Sequence, residues 1–140
     1  MITRYKYKSD VPYSLHDMRI ERIEMMDQSL KLFFEQGYSQ SCEPYKQVDG
    51  TIVFEEADLD FCFVYLLSKN GELGKFNGEK FTLPDFLKRY EDFSFEVTDE
   101  NYGYNSVVYS GYLIFPENNN VVEATIAMYY AGDIIYETEE

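Results

Sequence analysis

The stretch FSFEVTDENYGYNSVVYSGYLIFPENNNVVEATIAMYY, residues 93–130, decides the fold class. It holds three apolar runs, at 93–98, 106–116 and 120–130, rich in Val, Ile, Phe and Tyr. Those residue types suit a pleated, half-buried surface. In the last run Val122, Ala124, Ile126, Met128 and Tyr130 share a face, which is the period of a strand and not of a helix. PENNN at 116–120 reads as a hairpin turn, because Asn tolerates left-handed backbone and bonds its own main chain. Strands joined by turns this short pair antiparallel. Gly111, in the middle of its strand, marks a bend or a close backbone approach.

The rest of the chain extends this pattern. ITRYKYK (2–8) alternates Ile2, Arg4 and Lys6 against Thr3, Tyr5 and Tyr7, as an edge strand would. MRIERIEMM (18–26) puts Met18 and Ile20 on one face and then slips to Ile23 and Met25, so a β-bulge is expected near Glu21–Arg22. MDQS turns it into SLKLFFEQG (29–37), with Leu30, Leu32 and Phe34 on one face. GTIVFEEADLDFCFVYLLSKNGEL (50–73) holds two strands. Leu59 to Leu67 is apolar on both faces and reads as a central strand covered on both sides. The Asn70-Gly71 pair then turns the chain. GDIIYETEE (132–140) reads as a last strand, again with the charges of an edge. One short amphipathic helix is expected at 82–92. Thr82 caps it, Pro84 sits in its first turn, and Leu83, Phe86, Leu87 and Tyr90 form one apolar face. The expected fold is α+β, mostly antiparallel, of about eight or nine strands in a sandwich or strongly curved sheet, as one domain over 1–140.

Composition narrows the function. Hydrophobic residues make up 45% of the 140, enough for a core without cross-links. Twenty-six acids against twelve bases give a net charge of −14, which disfavours nucleic acid and anionic membrane and suits a basic protein partner. No stretch is long and apolar enough for a membrane helix, and the first residues lack an apolar leader run, so a reducing cytoplasm is the expected compartment. Cys42 and Cys62 have no zinc spacing, although a disulfide between them is compatible with the sequence. No cofactor motif is present: KNGELGKFNG (69–78) has glycines and lysines without the phosphate-loop spacing.

Three groups of residues are candidates for a site. His16, the only histidine, stands beside Asp17. On a strand the two would face opposite ways; in a turn they could form an acid/base pair, or Asp17 could cap amides while His16 closes the loop. Glu55, Glu56, Asp58 and Asp60 could offer oxygens to a hard cation, although the run lacks the Gly and terminal Glu of a calcium loop, so no metal is expected. NYGYN supplies Asn101, Tyr102, Tyr104 and Asn105, residue types that make adaptable binding contacts and also pack across strands.

In YSLHDMRIERIEMMDQSLKLFFEQGY (13–38), Leu15, His16, Asp17, Ile20, Ile23, Leu30, Leu32, Phe34, Gly37 and Tyr38 form an "LHD" step, a hairpin and an apolar strand ending in Gly and an aromatic. This resembles the opening of many small bacterial domains, some of them immunity proteins of polymorphic toxin systems. The resemblance implies a small acidic cytosolic protein without catalysis, and it carries over no catalytic residue. The leading expectation is therefore a non-catalytic protein-binding module, in its specific form an inhibitor of a basic toxin. The alternatives are a small-molecule binder or enzyme with a tyrosine-lined pocket and His16 as acid/base, and a scaffold that assembles through an edge strand.

Overall fold

In a computed structural model, residues 1–67 and 78–139 are described. The strands are β1 (Ile2–Tyr5), β2 (Tyr13–Ser14), β3 (Arg19–Met26), β4 (Ser29–Phe34), β5 (Tyr38–Gln40), β6 (Gln47–Val48), β7 (Gly50–Phe54), β8 (Phe63–Leu66), β9 (Glu79–Thr82), β10 (Ser94–Gly103), β11 (Ser106–Phe115), β12 (Asn120–Tyr129) and β13 (Ile134–Thr138). One helix, α1 (Leu83–Arg89), lies between β9 and β10. The turn expected at Asn70-Gly71 lies outside the described residues.

Every pairing is antiparallel. A ten-stranded sheet runs β1-β13-β7-β4-β3-β10-β11-β12-β8-β9, and a three-stranded sheet runs β2-β5-β6. The three strands at 93–130 form the longest ladder, with β11 paired to β12 from Ser106↔Tyr129 to Phe115↔Asn120. The large sheet folds back on itself. Its two halves pair at a seam, Phe95↔Ile20 and Arg19↔Glu96, and then face each other. Tyr5 of β1 stacks edge-on against Tyr102 of β10 at 5.9 Å. Phe54 at the end of β7 meets Tyr130 just past β12 at 5.3 Å. Between the halves lie Leu30, Leu32, Ile52, Phe95, Val107, Leu113, Ile126 and Ile134, all fully buried.

Two bulges stand near the seam. β3 shifts register between Ile20 and Arg22, where the sequence pattern slips. β10 shifts between Val97 and Asp99, opposite Gly111 and Ser110. Before that bulge Phe95 and Val97 point into the core, and after it Glu100 and Tyr102 do. A bulge changes which residues face inward by adding one residue to the strand. Gly111 makes this one possible: a Cβ there would overlap the carbonyl oxygen of Glu96 and lie 3.2 Å from the amide of Thr98.

Helix α1 begins as expected, with the Thr82 hydroxyl accepting from the Asp85 amide. It ends three residues short of the expected Asp92, because Tyr90 is extended and lays its ring 4.8 Å from Phe115. Residues 59–67 depart further from expectation. Leu59–Phe61 is a turn of 3-10 helix, and β8 lies one strand from the sheet edge instead of at its centre. Cys62, Val64 and Leu66 are buried, whereas Phe61 is 60% exposed. The apolar outer face of β8 is covered by a side chain: the Lys80 ammonium stands 4.1 Å from the ring centre of Phe63 and 5.6 Å from that of Tyr65. ITRYKYK is an edge strand as expected, but β1 stops at Tyr5. Cys42 is exposed, Cys62 is buried and both are free thiols, so there is no disulfide. Burial pushes the Cys62 thiol pKa up. Among the described residues no helix is long and apolar enough to cross a membrane.

Candidate functional site

His16 and Asp17 sit together in a turn. The Met18 amide donates to the Leu15 carbonyl at 2.8 Å, and Asp17 is held at φ 65°, a left-handed conformation that Asp tolerates. The Asp17 amide donates to Val97 O at 2.8 Å, and His16 Nδ1 lies 2.9 Å from Thr98 O. A carbonyl can only accept, so Nδ1 carries the hydrogen. Nε2 is 3.5 Å from the Asp17 carboxylate, with both side chains well exposed, at 64% and 72%. The pair is therefore close but lies on the surface, and its work is to fasten the turn before β3 onto the β10 bulge. His16→Ala is expected to cost less than about 1 kcal/mol in a urea titration, the scale of one exposed hydrogen bond.

The NYGYN residues separate. Asn101 and Tyr102 belong to β10, and Tyr104 and Asn105 form the turn into β11. Tyr102 points inward and Tyr104 is 76% exposed. Asn105 Oδ1 accepts from Lys6 Nζ at 3.1 Å and its carbonyl from the Tyr130 amide at 3.0 Å. Asn101 is exposed and donates to Asp99 at 3.3 Å. As a group they do not converge on one surface.

Tyr5, Tyr13, Tyr38, Tyr109, Tyr130 and Tyr136 are core. Glu100 sits among them, and its carboxylate accepts from Ser14 Oγ at 3.2 Å, from the Leu15 amide at 3.0 Å and from Tyr102 Oη at 2.8 Å. The hydroxyls of Tyr109 and Tyr136 are buried beside that of Tyr102 without a well-formed hydrogen bond. Burial above all, with neighbouring charge, raises the pKa of Tyr38, Tyr102, Tyr109 and Tyr136 well above the usual tyrosine value, and pushes Tyr130 up to about 12. An acid whose folded pKa is raised stabilises the fold fully below its unfolded pKa, near 10, and progressively less as pH rises above it. Stability is therefore expected to fall above about pH 10. An alkaline titration followed by tyrosinate absorbance should show a late, cooperative step coincident with unfolding. Full ionisation of all tyrosines in the folded protein would contradict this placement.

The acidic run is likewise dispersed. Glu55 accepts from Arg4 at 3.0 Å and from the Asp133 amide at 3.3 Å. Glu56 is exposed at φ 51°, and Asp58 Oδ1 accepts from the Asp60 amide at 3.2 Å. Among the described residues no three acids, histidines or cysteines are grouped to hold a metal ion. Glu56, Asp58 and Asp60 instead meet Asp27, which no sequence pattern links to them. The Ala57 amide donates to Gln28 O at 2.7 Å and the Asp58 amide to Tyr129 O at 2.9 Å, so the β3–β4 turn, the end of β7 and the end of β12 form one corner. Asp27, Gln28, Glu56, Asp58, Asp60 and Tyr129 line an open depression there of about 400 Å³. Tyr129 is 44% exposed, and Phe61, which follows Asp60 in the chain and is 60% exposed, has its ring centre 6.3 Å from that of Tyr129.

No family model, curated protein or solved structure matches the chain. The corner therefore stands on its own chemistry. It presents four exposed carboxylates and two exposed rings. Among the described residues none of the four acids has an ion-pair partner.

Proposed function

We propose that the chain is a non-catalytic binding protein whose partner is a basic protein. The observation that carries this reading is the corner of Asp27, Glu56, Asp58 and Asp60 around exposed Phe61 and Tyr129, on a chain of net charge −14. Unpaired carboxylates raise the local concentration of a cationic partner, and exposed rings give it contact area once docked. The only histidine is spent on a surface turn and the buried tyrosines fill the core, so neither supports an acid/base site. The resemblance of residues 13–38 gives the reading its specific form: a cytoplasmic bacterial immunity-type protein that blocks a basic toxin.

The test is capture from the native host with the purified chain, followed by rebinding of each identified protein in pure form. The expected partner is basic and holds at about 0.1 M salt but is lost towards about 1 M, where the Debye length has fallen from about 10 Å to about 3 Å. A partner indifferent to salt, or no partner that rebinds, would count against the reading. A toxin gene adjacent to this one would support the specific form.

A further inference from the structure

Resting on that reading, we infer that the corner receives an arginine side chain of the partner, laid against Phe61 and Tyr129 with its guanidinium facing the carboxylates of Asp27, Glu56, Asp58 and Asp60. The chain's own rings show the pattern. Where a cation of the chain lies against an outward strand ring it stands over the ring face: the Arg22 guanidinium is 4.0 Å from the ring centre of Phe33, and the Lys80 ammonium is 4.1 Å from that of Phe63 and 5.6 Å from that of Tyr65, whereas among the described residues the exposed rings of Tyr7, Tyr45 and Tyr104 carry none. Among the described residues no cation of the chain stands over Phe61 or Tyr129, although four unpaired acids lie beside these rings. A cation over the face of an aromatic ring is attracted by its quadrupole, and nearby carboxylates add to that attraction.

The occupant is narrowed by shape and charge. The depression is open and shallow, so it takes a side chain presented on a surface more readily than a free small molecule. A second copy of this chain is disfavoured, because both sides would bring the same unpaired acids. Arginine suits the place better than lysine. Its planar guanidinium stacks on rings, is more weakly hydrated than an ammonium, and spreads five donors that several carboxylates can share.

Two capped peptides, alternating glycine with arginine or with lysine at equal length, test this on the isotope-labelled chain by amide chemical-shift mapping. The arginine peptide should bind more tightly by about threefold or more, with shifts concentrated at 27–28, 56–61 and 129–131. Phe61→Leu keeps apolar area but removes the π face, and should weaken the arginine peptide by about threefold to tenfold. Phe61 is exposed, and an unchanged melting temperature would confirm that the variant folds. Equal binding of both peptides, shifts spread over the whole acidic surface, no binding, or Phe61→Leu binding like the parent would each overturn the inference. Those outcomes are separable from failure of the wider reading. A basic partner that rebinds salt-dependently but maps elsewhere removes only the arginine site. Absence of any such partner removes the function even if the peptides map to the corner.

Discussion

Gly111→Ala is expected to destabilise the protein by about 3 kcal/mol or more, against about 1 kcal/mol for a typical single substitution. The reason is local and geometric. Gly111 lies opposite Val97 in the β10–β11 ladder, where β10 carries its extra residue. The carbonyl of Glu96 approaches so closely that a methyl group would overlap it, and the obstacle is main chain, which cannot rotate away. The bulge must then flatten or β11 must part from β10. Flattening would reverse the phase of β10 beyond Thr98 and turn Glu100 and Tyr102 out of the core. It would also withdraw Val97 O and Thr98 O, on which the His16–Asp17 turn is fastened. A loss of that size corresponds to a fall in melting temperature of about 10 °C for a domain of this length. Thermal or urea unfolding measures it, and a change under about 1 kcal/mol would mean that the close approach relaxes freely.

Glu100→Leu is the second large effect, at about 3 kcal/mol. Leucine is apolar and of comparable size, so on burial alone it would be harmless. Yet the carboxylate is the acceptor for Ser14 Oγ, the Leu15 amide and Tyr102 Oη. Leu15 is fully buried, and its amide has no route to water. Removing one acceptor therefore strands several donors, each costing about 1–3 kcal/mol when buried unpaired. Glu100→Gln keeps an acceptor oxygen and should lose about half as much or less, which separates hydrogen bonding from shape. Equal stability of the Leu and Gln variants in urea would contradict the role given to this network.

The contrast between these two sites shows what was legible in the sequence. Gly111 stood out, because a glycine inside an apolar strand forfeits packing and backbone entropy, and a close backbone approach is the usual reason to accept that loss. The alternation of Val122 to Tyr130, the face of Leu30, Leu32 and Phe34, and the bulge near Glu21–Arg22 were equally readable, and all are present. The β10 bulge was not. Residues 99–103 are polar and carry a glycine, so they read as a loop, while in the fold they continue β10 with Glu100 and Tyr102 turned inward. The short strands β2, β5 and β6 have only two or three residues each, too few for any periodicity. Residues 59–67 misled because their outer face looks buried in sequence, whereas Lys80, which covers it, belongs to a neighbouring strand. The corner was half visible. Its acids at 56, 58 and 60 drew attention as possible ligands, but Asp27 and Tyr129 join them only through the folded-over sheet, which no local pattern encodes.

The central claim is that this corner, and not net charge alone, draws in a basic partner. It is tested most directly by association kinetics with the purified partner and two variants of equal charge. One neutralises the corner as Asp27→Asn, Glu56→Gln, Asp58→Asn and Asp60→Asn. The other neutralises four exposed acids elsewhere, as Glu21→Gln, Asp49→Asn, Glu117→Gln and Glu139→Gln. The corner variant should associate about tenfold more slowly or worse and lose most of its salt dependence, while the other stays within about threefold of the parent. Equal slowing in both variants would contradict the claim.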